Sequence, residues 1–425
     1  MAAPKQFDIV LYGATGYTGQ LAARYLLTEA ETAPGAAGAL TWAMAGRSEA
    51  KLLQTKEALK LRLPHVRPEA IDAVPIVVAE ASDAAAILAL VQSTKVVLTL
   101  AGPYALYSDL LVQLCAEHGV HYCDITGEII WVEKNARKYE AAAQRSGARI
   151  VHCCGLEAVP SDLTTFLLAD FVRAQRQCET SHVSFYWVDS VGGVSGGTCA
   201  SLINQMALAS RGDVKRAFAP YFYTSAAYEH AKQPLAAANT PGFRVRYDPD
   251  LQAWTTVFIA AAVNSPVVLR SNYLLGDRYG KAFSYWERFS TGGFVFQNVV
   301  SLVTMALLAL AYFNFTRALL AKLVPAPGVG PAEEDLPKGY FKTEALAYDA
   351  DRKLAARCAT SGEGDPAYLL TSKMIVEMAK CLAKGEHDGG LATGGFLTPA
   401  TAGGHSFVKR LQDKGLLKFT ITKAE

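Results

Sequence analysis

Between an apolar run and a stretch of helical spacing lies Gly13-Ala14-Thr15-Gly16-Tyr17-Thr18-Gly19. Glycines three residues apart in such a turn remove the Cβ atoms that would keep backbone N–H groups away from a pyrophosphate. The helix that follows aims its positive end at the same charge. The chemistry expected of this turn is dinucleotide binding. The spacing is G-x-x-G-x-x-G rather than the commoner G-x-G-x-x-G, so the strand before it and the helix after it carry as much of the inference as the glycines. A second group, Ala45-Gly46-Arg47-Ser48, closes the next apolar run. A site for NAD usually places Asp or Glu there to hold the ribose hydroxyls. Arg47 and the Ser48 hydroxyl suit a 2′-phosphate instead, so NADPH is expected over NADH.

The reacting end of such a cofactor belongs outside the carboxyl ends of later strands. Ala101-Gly102-Pro103-Tyr104 is a small-residue turn in that position, with Tyr104 either facing the reacting ring or packing beneath it. Asp124-Ile125-Thr126-Gly127-Glu128 borders the same crevice, and Thr126 joins the residues expected to bind cofactor. Glu128 reads equally as a helix-start acid. The candidates for a proton donor are Tyr104, Ser161, Asp162 and Thr198. Tyr228-x-x-x-Lys232 matches a known dehydrogenase pair, but among 19 tyrosines one such match is expected by chance. His118, His121 and Cys123 need not converge, and no metal site is expected.

The elements that must position these groups are short and buried in character. Apolar runs at 7–12, 40–45, 74–79, 95–100, 120–124 and 149–154 alternate with helical patterns at about 17–30, 49–61, 82–91, 108–118 and 133–145. Near-continuous rather than alternating apolar runs fit strands covered on both faces, so the class is α/β with an N-terminal Rossmann-type, doubly wound parallel sheet. After Gly155 the rhythm changes to helices at 160–171 and 198–209 around a strand at 182–188, and residues 211–270 read as mixed α and β. Further helices are expected at 368–383 and 399–414, with a last strand at 416–421. The organisation expected is a dinucleotide-binding domain over 1–155, a mixed α/β domain over 156–290, an apolar segment over 291–324, a Pro-rich linker over 325–340, and a C-terminal segment over 341–425 that completes the fold.

Of 425 residues, 41 are basic and 39 acidic, so no electrostatic surface for nucleic acid is indicated. The eight cysteines include no C-x-x-C pair, and the adjacent Cys153 and Cys154 read as buried thiols of a reducing compartment. No basic-then-apolar leader opens the chain, so no secretory signal is expected. From Phe289 to Thr316 there is no charged residue, and Arg317 and Lys322 follow. This segment reads either as a core helix lining a greasy pocket or as a membrane element, with shallow attachment favoured over a crossing.

Together the GATGYTG, AGRS, AGPY and DITGE groups resemble the saccharopine dehydrogenase-like oxidoreductases, including the trans-acting enoyl reductases. The likeness continues in Gly155-Leu156-Glu157-Ala158-Val159-Pro160-Ser161-Asp162, where the family usually has G-F-D-S-x-P-S/A-D. It recurs in Asn264 to Ser271, in Gly364-Asp365-Pro366 and in Gly395 to Ala400. The resemblance implies an NADPH-type Rossmann domain joined to a mixed α/β domain, with the C-terminal segment packing back near the first. It also implies an apolar or lipid-like substrate, since some relatives reduce double bonds of long lipid intermediates, and a place on the cytosolic side of an internal membrane or on a lipid droplet. Leu156-Glu157-Ala158 replaces F-D-S and leaves the role of that turn open. The alternative expectation is a non-catalytic NADPH-binding protein of a lipid surface or a redox sensor. An amino-acid dehydrogenase would need basic residues converging on two carboxylates, and no such cluster is visible in the sequence.

Overall fold

The computed structural model describes all residues except 1–4, 30, 34–37, 193–202, 204, 218, 241, 314, 318–329 and 425. Its strands are β1 (Phe7–Tyr12), β2 (Trp42–Gly46), β3 (Ile76–Val78), β4 (Thr94–Thr99), β5 (His121–Cys123), β6 (Arg149–Val151), β7 (His182–Val191), β8 (Arg246–Asp248), β9 (Ala253–Val257), β10 (Ser284–Phe289), β11 (Tyr340–Tyr348), β12 (Leu354–Glu363), β13 (Gly395–Leu397) and β14 (Lys418–Lys423). They form two seven-stranded sheets, in the orders β13-β6-β5-β4-β1-β2-β3 and β14-β12-β11-β7-β10-β9-β8.

The first sheet is parallel throughout. β1, inside the sheet between β4 and β2, explains why the sequence from Ile9 to Tyr12 reads as a continuous apolar run. Ile9 and Leu11 enter one core and Val10 and Tyr12 the other, all buried, so neither face can tolerate a charge. The face of Ile9 and Leu11 is covered by helix Tyr17–Thr28 and by helix Thr371–Lys384 from the far end of the chain. The expected return of the C-terminal segment is therefore present, and it is split. β13 extends the first sheet through β6, whereas β11, β12 and β14 build one half of the second. A buried ionic clasp fixes the return. The wholly buried Glu377 accepts from the Tyr25 hydroxyl at 2.9 Å, Lys380 Nζ at 2.8 Å and Arg410 at 2.9 Å, and Arg410 also holds Glu31 at 2.9 Å. Removing one partner from such a set leaves a desolvated charge and costs about 3–5 kcal/mol.

Several boundaries differ from the sequence reading. The helix expected from 133 starts at Ile129, directly after Glu128. The last strand lies two residues later than expected, after the Gly415 turn. The helix expected at 198–209 and the linker expected at 325–340 fall partly outside the described residues, and Tyr340 already belongs to β11.

The apolar segment forms helix Phe294–Tyr312 beside β9, with Trp254 and Phe294 rings 4.7 Å apart. It is not a core helix. Its buried residues are Gln297, Ser301 and Ala311, and the polar side chains are tied inward, Gln297 to the Thr291 carbonyl at 2.7 Å and Ser301 to the Phe243 carbonyl at 2.9 Å. Val295, Leu302 and Phe313 point outward at 75%, 63% and 60% exposure. The ordinary amphipathic arrangement of a surface helix is reversed.

Candidate active site

The glycine turn leaves β1 at the carboxyl end of the sheet. Gly13 takes φ +86°, and a Cβ there would lie 2.7 Å from the Ala101 nitrogen, so the loops after β1 and β4 touch backbone to backbone. A Cβ on Gly19 would lie 2.2 Å from the Gly13 carbonyl oxygen, which forces glycine where helix Tyr17–Thr28 crosses the turn. Gly13 and Ala14 both donate to the Ala45 carbonyl, which seats the turn against β2. The N-terminus of the helix carries no side-chain cap at Gly16 and no acid in its first turn. An uncapped helix start behind a turn that admits only glycine is the form of a pyrophosphate cradle, and it fits a dinucleotide.

Ala14 is buried in the turn, while Thr15, Gly16 and Thr18 are partly exposed at its rim. Tyr17 is turned away from it. Its hydroxyl donates to the Pro331 carbonyl at 2.7 Å and its ring meets Tyr368 edge-on at 5.4 Å. Arg47 stands exposed just beyond β2, and its charge opposes the upward push that burial and Glu80 give the Tyr12 hydroxyl at the end of β1. The cation thus stands near the end of β1, where the glycine turn begins. Ser48 is less free, since its hydroxyl caps the next helix by accepting from the Lys51 N–H at 3.4 Å. Arg47→Ala is expected to erase most of the preference for NADPH over NADH. Calorimetry with both nucleotides should show NADPH weakened by roughly tenfold or more, the value of a charge-assisted phosphate contact, with NADH unchanged.

On the other side of the cradle, Ala101, Gly102 and Pro103 run from the end of β4 into the short helix Tyr104–Tyr107. Glu128 is what holds this turn. Its carboxylate accepts from the Tyr104 N–H at 2.8 Å and the Ala105 N–H at 3.0 Å, and it is buried. Thr126 in turn accepts from the Glu128 N–H at 3.0 Å. Asp124, wholly buried, accepts from the N–H groups of Thr126 (3.1 Å) and Cys153 (3.2 Å) and from the Tyr122 hydroxyl (2.8 Å), and lies 2.6 Å from His152 Nδ1. This buried acid ties the ends of β5 and β6 together and shapes the crevice floor.

The proton-donor candidates separate in space. Tyr104 is 5% exposed and packs its ring against Trp131, and burial with the nearby Asp124 charge pushes its hydroxyl well above the ordinary phenol range. Ser161 and Asp162 are wholly buried in the first turn of helix Val159–Arg176. Asp162 accepts from the Ser271 hydroxyl at 2.5 Å and the Ala400 N–H at 2.8 Å, so it joins three helices from within. Thr198 lies outside the described residues. Tyr228 and Lys232 both end on Asp277, at 2.5 Å and 3.1 Å, as a local clasp. His118 is exposed, while His121 accepts from the Arg149 N–H. No cluster of three metal-ligating side chains occurs among the described residues.

Sequence reasoning passed over Glu157. Its turn follows β6 at the carboxyl end of the sheet, beside Gly127 and Tyr104, and it is partly exposed. The signal that could have found it was the acid itself, kept where the family pattern has Asp.

A family model described as the saccharopine dehydrogenase NADP binding domain matches residues 9–151. A Mycobacterium tuberculosis protein provisionally named a trans-acting enoyl reductase is 36% identical, covering 98% of this chain and 97% of its own. Trans-acting enoyl reductases of Mycobacterium bovis and Mycobacterium leprae are each 32% identical, with at least 97% of both chains covered. Among solved structures, apo saccharopine dehydrogenase (L-Glu forming) from Saccharomyces cerevisiae matches with a TM-score of 0.54 at 11% identity, over 99% of this chain and 100% of that one. This last likeness is one of fold alone. With the cradle built for NADPH and kinship running the length of the chain, the protein is an NADPH-dependent oxidoreductase that belongs to the saccharopine dehydrogenase-like family of the trans-acting enoyl reductases.

Proposed function

We propose that the protein reduces an activated carbon–carbon double bond in a long apolar or lipid-like substrate, at the cytosolic surface of an internal membrane or a lipid droplet. One observation carries the lipid part of this reading: a chain with a dinucleotide cradle also presents helix Phe294–Tyr312 with Gln297 and Ser301 inward and its apolar face open. The names of its full-length relatives supply the reaction class. Bound NADPH would supply a hydride. The chain's part is to hold the pyrophosphate on the Gly13–Gly19 turn, to mark the 2′-phosphate with Arg47, and to fix the turn after β4 through Glu128.

At 1.5 Å per residue the 19-residue helix is about 28 Å long, long enough to span a bilayer, but its inward polar anchors favour lying in the interface. Wild-type protein is expected to float with phospholipid vesicles, and a Val295→Glu, Leu302→Glu double variant to stay in the soluble fraction with its NADPH affinity intact. Equal flotation of the two would remove the helix from the membrane contact. The reaction itself is tested by following NADPH oxidation with α,β-unsaturated acyl thioesters of increasing chain length. The expected result is kcat/KM rising with chain length. Tight NADPH binding with no turnover across the panel would instead support a non-catalytic, nucleotide-binding protein of the lipid surface.

A further inference from the structure

Reduction of an activated double bond needs a proton as well as a hydride, and the donor must stand at the carboxyl end of the sheet on the side away from the adenosine. Three loops meet there, after β4, β5 and β6. Tyr104 is shut behind Trp131, Glu128 is consumed by two backbone N–H groups, and Asp124 is saturated by the donors around it. Glu157 is in a different situation. Its carboxyl folds over Gly155, where a Cβ would stand 3.1 Å from Glu157 Oε2 and 2.8 Å from the Thr371 methyl. Its stem reaches the β5 loop, with Cγ 4.0 Å from where a Cβ on Gly127 would be, beside Val263. Glycine at 155 clears space beside this carboxyl, and a side chain at 127 would meet its stem at ordinary van der Waals distance. It is partly exposed and makes no ion pair among the described residues. Among the described residues no cation is paired with it to hold it ionised.

Resting on the reductase reading above, we propose that Glu157 is the proton donor: hydride from NADPH adds to the β-carbon of the enoyl group, the Glu157 carboxylic acid delivers its proton to the α-carbon, and the resulting carboxylate is reprotonated from water. The double bond gains one hydride and one proton, and NADPH leaves as NADP+. Burial, opposed by the bond from its own backbone N–H and reinforced by the Asp124 charge, pushes this acid up to about 7, where it both holds and releases a proton at neutral pH. The other ionisable groups facing it are Tyr104 and Cys153, both pushed upward by burial and therefore neutral there.

Two readouts test the assignment on the full chain. In pH-difference infrared spectra, a protonated-carboxyl band titrating near neutrality should be present in the wild type, shift when NADPH is added, and vanish in Glu157→Gln. Glu157→Gln should also bind NADPH within about threefold of the wild type by calorimetry while turnover falls about 10²–10⁴-fold, the usual worth of a general acid. Glu157→Asp should keep an intermediate rate. A band that persists in Glu157→Gln or ignores NADPH, or undiminished turnover in that variant, would overturn the assignment. Absent turnover in the wild type would count against the reductase reading alone, leaving the infrared band to decide whether Glu157 is a titrating acid at the cofactor site.

Discussion

Gly19→Ala should weaken NADPH binding by about 100-fold, about 2.7 kcal/mol, and calorimetry on the purified chain reads it directly. The reason is local and rigid. The new Cβ would lie 2.2 Å from the Gly13 carbonyl oxygen and 3.0 Å from Ala14, both backbone, so no side chain can yield. The turn must open, and the N–H groups aimed at the pyrophosphate then diverge. Gly147→Ala is the control. Gly147 also has positive φ, at +81°, yet a Cβ there meets nothing within 4 Å, and it ends a helix away from the cradle. That change should cost about 1 kcal/mol of stability in a urea melt and leave the NADPH affinity unchanged. If the two variants bound NADPH alike, the cradle would be misassigned.

Asp162→Asn should alter the pH dependence of stability. Burial raises the Asp162 carboxyl from 3.8 to about 7, against the bonds from Ser271 and Ala400. Below about pH 4 the group is protonated in both folded and unfolded chains and adds nothing to the balance. Between about pH 4 and about pH 7 the folded chain holds the proton that the unfolded chain has lost, so stability falls as pH rises, by an amount on the order of 4 kcal/mol. Asparagine cannot ionise, and its carbonyl and amide can still serve Ala400 and Ser271. The difference in unfolding free energy between variant and wild type should therefore move in the variant's favour across that window. Glu157 rises in the same range, but its contribution is common to both proteins and cancels. A pH-independent difference between the two proteins would contradict a buried, titrating Asp162.

The first sheet was legible because its strands are buried on both faces and so carry apolar runs such as Ile9 to Tyr12 and Val96 to Leu98. β13 was not legible as a strand. Three residues, Gly395-Phe396-Leu397, carry no periodicity, and their strand character comes from pairing with β6. In the second sheet, β11 alternates Lys342 and Glu344 with buried Phe341, Thr343 and Ala345, a pattern whose meaning depends on distant partners in β7 and β12. At the site, the glycine turn and Arg47 could be read locally, since strand, turn and helix are contiguous. Glu128 could not. As a residue just before a helix it looks like a start signal, and only the fold brings it to the N–H groups of Tyr104 and Ala105. Glu157 was hidden for the opposite reason, read as a departure from a pattern when its charge type was retained. Helix Phe294–Tyr312 left two readings open because hydropathy measures apolar content and not direction, which the inward Gln297 and Ser301 supply.

The most direct measurement is isotope transfer. Full-length protein is mixed with NADPH carrying deuterium at the transferable position and a long-chain α,β-unsaturated acyl thioester, and the product is examined by mass spectrometry. The expected product is the saturated thioester with one deuterium, at the β-carbon, formed with NADPH and far less with NADH. Saturated product without deuterium, or none at all from protein shown by calorimetry to be loaded with NADPH, would contradict an enoyl reductase.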